Sequence, residues 1–176
     1  MELKNRVRLY KEMYEFELIR SQDIPKRLPL PFAILVATIS LLSYLINERP
    51  NVITDVGELC FWLVLFASVA TSAAGTWFFR IAWFGHSDKL MAVPNAVENY
   101  YALLVDTYKD FENCDELVEL YFNQYLLTSY AEYGSHVADN NDKRSYSLYQ
   151  GLCFYAAASA MAFVALFIHF LLTNGQ

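Results

Sequence analysis

One apolar stretch carries a face of chemistry that a membrane interior can support. Ser68, Thr71, Ser72, Gly75 and Thr76 stand among Ala67, Ala70, Ala73 and Ala74. The first four fall at i, i+3, i+4 and i+7, one face of a helix. Small residues let two helix backbones approach closely, and hydroxyls bond back to their own helix or across to a neighbour. The same face can instead line a narrow wet path without fixed charge, provided several copies surround it. A second small face, Gly151, Tyr155, Ala158, Ala162, Ala165 and His169, follows a heptad. Ala158, Ala162 and His169 therefore join Ser68, Thr71, Ser72, Gly75 and Thr76 as pore-lining candidates. An ionisable group inside an apolar run marks function by default, although His169 also lies near enough to the end of its run to sit at the interface.

Two further sets could meet an anion or an acidic partner surface. The N-terminal cations Lys4, Arg6, Arg8 and Lys11 are one, reinforced by Lys26 and Arg27. Their alternative role is membrane orientation alone. The segment SHVADNNDKR supplies the other, with Asn140, Asn141, Lys143 and Arg144. As a metal site it lacks ligand spacing, because His136 stands with loosely placed carboxylates and the run reads equally as a solvated bend. No Ser-His-Asp set, paired acid or phosphate loop is present, so neither catalysis nor a cofactor is expected. Cys60, Cys114 and Cys153 form no CxxC pair, which leaves lone thiols.

The elements that must position these residues are helical throughout. With 56% hydrophobic and 18% charged residues over 176 positions, the chain is too apolar for an ordinary soluble domain. Residues 1–27 read as an amphipathic helix with Leu3, Val7, Tyr10, Tyr14 and Leu18 on one face, ended by Pro25. That helix can lie on a lipid surface or pack on its own protein, and Glu12, Glu15 and Glu17 favour packing. Residues 28–46 form a first transmembrane helix, with Pro29 and Pro31 in the first turn, where a missing N–H does no harm. A secretory signal is the competing reading, but the apolar run lies behind a charged helix and no small-x-small cleavage site follows. Residues 47–58 are an external loop, and 59–84 a second span with Trp62 and Trp77 as interface anchors. Residues 85–149 turn acidic and Tyr-rich and read as a cytoplasmic helical hairpin bending near Asn113. A third span follows at 150–173.

Lys and Arg concentrate in the N-terminal flank and in the 80–149 segment, and are absent after residue 149. The positive-inside rule then places the N-terminus in the cytoplasm and the C-terminus outside. The expected fold class is an all-α membrane protein of three transmembrane helices, with the N-terminal amphipathic helix and the cytoplasmic hairpin. Three spans make too thin a bundle to enclose a pore, so conduction requires a homo-oligomer, taken here as a tetramer.

The stretch YEFELIRSQDIPKRLPLPFAILVATISLLSYLI, with its Arg-Leu-x-x-Pro knuckle running straight into a span, resembles small bacterial membrane proteins encoded beside anti-phage defence genes. LTSYAEYGSHVADNNDKRSYSLYQGLCFYAAASA is similar to the same group's Asn-to-Lys/Arg segment leading into the last span. The likeness points to the membrane effectors of Hailong-type and SLATT-like systems. It implies a channel-forming effector of the bacterial inner membrane that collapses the membrane potential. It also implies control by a nucleotide or DNA-oligomer signal from a partner nucleotidyltransferase. A non-conducting membrane adaptor that recruits a cytosolic enzyme through the Tyr-rich hairpin is the alternative.

Overall fold

Five prolines and the absence of any after residue 94 set the punctuation of this chain. The computed structural model describes residues 1–48, 56–85 and 89–174. Helix α1 spans Leu3–Asp23, and a 3-10 turn follows at Pro25–Arg27. Then come α2 (Pro29–Asn47), α3 (Val56–Phe84), α4 (Pro94–Tyr108) and α5 (Cys114–Asn174), and no strand occurs among the described residues. Pro29 and Pro94 each occupy the start of a helix, where a missing N–H leaves no bond unmade. Val93 is extended ahead of Pro94, as the ring of a following proline demands.

The main departure from expectation is α5. The second helix of the hairpin and the third span, anticipated as separate pieces meeting near residue 150, are one helix of 61 residues. Most of the expected external loop at 47–58 lies outside the described residues. Three helical stretches, Leu3–Asn47, Val56–Phe84 and Cys114–Thr173, are each long and apolar enough to cross a membrane, the pattern of a multi-pass membrane protein. In their most apolar windows only 22%, 28% and 28% of residues are buried, so most of that apolar surface faces outward.

The chain divides into two compact units, one of Met1–Asp23 with His86–Asp142 and one of Ile24–Gly85 with Lys143–Gln176. The second unit is a bundle of α2, α3 and the later part of α5. One core layer gathers Leu42 and Leu45 from α2, Phe61 and Leu65 from α3, and Ala162 and Ala165 from α5. Another joins Leu28, Phe79, Ala82 and Tyr155. The opposite faces carry Phe66, Phe163, Phe167 and Phe170, each at least 60% exposed. A water-soluble bundle would hide such residues, whereas lipid is as apolar as they are. Gly85 closes α3 in the left-handed region at φ 63°, and Arg144 lies against it while its Nε donates to the Ala82 carbonyl at 3.3 Å.

In the first unit α1 and α4 pack on the early part of α5. Tyr100 meets Tyr125 at 4.4 Å between ring centroids, Tyr101 meets Phe122 edge-on, and Tyr108 stacks on Tyr121. Removal from water, and then the Tyr121 hydroxyl, push the Tyr108 phenol above its ordinary range. On α1, Tyr14 is buried and Leu3, Val7, Tyr10 and Leu18 are partly buried, but Leu9, Met13, Phe16 and Ile19 are exposed. Apolar residues thus occupy the outward side of α1 as well as the inward one.

Candidate functional site

Of the candidate pore residues, Ser68, Gly75, Thr76 and Ala158 meet across a polar seam between α3 and α5, whereas Thr71 bonds only within its own helix. Ser68 is fully buried, and its hydroxyl donates across to the Ala158 carbonyl of α5 at 2.7 Å. Seven residues on, Gly75 faces Tyr155 so closely that an added Cβ would lie 2.8 Å from the ring. Gly151 lies against the Gly75 carbonyl and the Phe79 amide nitrogen, where its own added Cβ would stand 3.4 Å from each. Phe78 and Phe154 stack beside this contact at 5.4 Å. The two small-residue faces therefore pack on each other within one chain, and Tyr155, Ala158, Ala162 and Ala165 are wholly removed from the surface.

Hydroxyls extend the seam to the third helix. Thr38 of α2 and Ser159 of α5 share a hydrogen bond at 2.7 Å, while each also donates to, or lies against, the carbonyl four residues earlier on its own helix. Thr71 and Thr76 satisfy themselves on the Ala67 and Ser72 carbonyls. The Tyr155 hydroxyl reaches Thr76 at 3.3 Å. Ser72 is the exception, since its buried hydroxyl has no partner among the described residues. His169 is partly buried, its Nδ1 also lacks a partner among the described residues, and its ring lies 6.0 Å from that of Phe61.

The expected anion-binding residues take different places. Lys4 pairs with Glu119, whose hydrogen bond and charge raise the amine above its usual range. Arg8 and Lys11 reach Glu12 and Glu15 one turn along α1. Arg6 is exposed and lines a shallow depression with Tyr10, Thr128 and Glu132. Asn140 and Asn141 are 3% and 1% exposed, so their amides are not presented to water. Asn141 instead donates through Nδ2 to the Glu17 carbonyl at 2.8 Å and to Glu17 Oε2 at 3.0 Å. Arg20 binds Asp142 at 2.6 Å and reaches Glu17 at 3.4 Å, and the Asp142 hydrogen bond holds its guanidinium pKa above normal. Lys143 is exposed and has a partner, and Arg144 is committed to the end of α3.

Sequence reasoning missed the α1 to α5 clasp, in which Tyr14, Glu17 and Arg20 recur at three-residue intervals along one side of α1. Tyr14 supports it by ring contact with Tyr130 and by accepting the Met91 amide at 3.4 Å. An available signal was the mixed content of α1, where carboxylates interrupt the cations, although of Glu12, Glu15 and Glu17 only Glu17 turns inward. Among the described residues no group of His, Cys, Asp and Glu is placed to hold a metal ion. Comparison with protein-family models, with curated proteins and with solved structures finds no match for this chain.

Proposed function

We propose that this chain is a non-enzymatic membrane effector that assembles as a homo-oligomer and opens a gated ion-conducting path. The observation that carries the reading is the hydroxyl seam, and Ser72 above all. A membrane-embedded hydroxyl without a partner is unfavourable, because no bulk water is at hand to satisfy it. Thr38, Ser68, Thr76, Ser159 and Tyr155 lie along the same seam. In this reading the zipped seam is the closed state, and water enters along it when α3 and α5 part. The N-terminal helix, α4 and the early part of α5 are assigned to the cytoplasm by the distribution of Lys and Arg. The bacterial inner membrane, the anti-phage setting and the nucleotide or DNA-oligomer signal are carried by the resemblance of residues 14–46 and 127–160.

Such a signal must favour one state by about 5.5 kcal/mol to move the population from 1:99 to 99:1. Shared over a tetramer, that is about 1.4 kcal/mol per subunit, the scale of one charged hydrogen bond. A second reading, the non-conducting adaptor, is favoured by the surface of the first unit. Exposed Leu103, Phe111 and Leu120 stand there among Asp110, Glu112, Asp115 and Glu116.

A voltage-sensitive dye in bacterial cells separates the two. Depolarisation is expected on expression of the chain, alone or with its neighbouring gene. With Ser72→Cys, that depolarisation should become sensitive to a water-borne thiosulfonate. Unchanged potential alone, with the neighbour and during infection would sink the pore and leave the adaptor.

A further inference from the structure

The spanning unit has a cleft whose chemistry differs from the seam. It measures about 250 Å³ and opens between the start of α2 and the middle of α5. Its polar wall is Arg27, Ser145 and Tyr149, and its apolar wall includes Leu30, Leu148 and Leu152. Arg27 is exposed and ends the 3-10 turn, two residues before Pro29 opens α2. From Leu30 the chain continues for seventeen residues without a charge, so the guanidinium stands where an apolar span begins. No ion pair holds it among the described residues.

We infer that this cleft binds the headgroup of an anionic phospholipid, with Arg27 on the phosphate. A guanidinium presents a fork of donors that matches phosphate oxygens in pairs. Ser145 and Tyr149 supply hydroxyls at the rim, and Tyr149 is itself 62% exposed. The apolar wall is what separates this site from one for free phosphate. Leu30 is 63% exposed, so an acyl chain leaving the cleft would run along leucine and not into water. The volume falls below the roughly 300–1,000 Å³ of clefts that enclose a whole drug-sized ligand, which fits a headgroup whose tails stay in the bilayer. Cationic pockets between spanning helices commonly serve such headgroups.

This inference rests on the membrane reading, and its test separates the two. The full chain is first floated with liposomes, then taken into detergent and titrated with phosphatidylglycerol or phosphatidylcholine under native mass spectrometry. The wild type is expected to float and to retain one phosphatidylglycerol per protomer, about tenfold more tightly than phosphatidylcholine. Arg27→Gln should remove that preference, whereas Lys26→Gln, outside the cleft wall, should keep it. Leu148→Trp, which fills the cleft, should lower retention of both lipids. A wild-type chain that does not float overturns the membrane placement and the site together. A chain that floats while Arg27→Gln keeps the full preference overturns the site alone. Displacement of the bound lipid by millimolar inorganic phosphate would assign the cleft to a free anion and also overturn it.

Discussion

Gly75 and Tyr155 approach each other with no room for a further carbon. A methyl group at position 75 would lie 2.8 Å from two carbons of a ring that is itself fully buried. Gly75→Ala should therefore destabilise the bundle by about 1–3 kcal/mol, the usual range for overpacking. Denaturant titration in detergent micelles reads this directly, and a companion Tyr155→Leu should recover part of the loss. Ser68→Ala has a gentler expectation of under about 1 kcal/mol, since hydrogen bonds between membrane helices average near 0.6. A loss of several kcal/mol there would mean that Ser68 does more than bond the Ala158 carbonyl. Asn141 belongs to the other unit and carries a different risk. Removing its amide leaves the Glu17 carboxylate, whose side chain is only 16% exposed, without one of its donors.

At the scale of elements, that loss should appear in α1. With Asn141→Ala, amide hydrogen exchange is expected to quicken across residues 14–23 and to stay unchanged in α3. Uniform protection in both helices would remove Asn141 from the clasp. The apolar runs were legible in the sequence because each is long and uncharged, and a helix in lipid needs little else. The small faces were legible for a related reason, as spacing alone places Ser68, Ser72 and Gly75 on one side of α3 and Tyr155, Ala158 and Ala162 on one side of α5. Their mutual packing was not legible, since periodicity shows that a face exists and not what covers it. The break expected near Gly151 came from a change in composition. A helix answers to backbone breakers instead, and no proline interrupts residues 114–174. The pairing of Asn141 with Glu17 joins residues 124 apart, beyond the reach of any local pattern.

At the scale of the whole molecule, the proposal of three spans requires the two termini to lie on opposite sides of the membrane. A C-terminal alkaline phosphatase fusion should be active in bacterial cells and an N-terminal one silent. Activity at both ends would reduce the spans to an even number and remove the present assignment of sides. The close approach at Gly75 also has a genetic consequence. Every missense change of a glycine codon adds at least one carbon, so each missense change at codon 75 meets the Tyr155 ring. At codon 134 the same carbon would meet Tyr14 at an ordinary 3.7 Å. If expression harms the host, colonies that escape should carry lesions at codon 75 far more often than at codon 134, and the spectrum of survivors would map the seam without a structure.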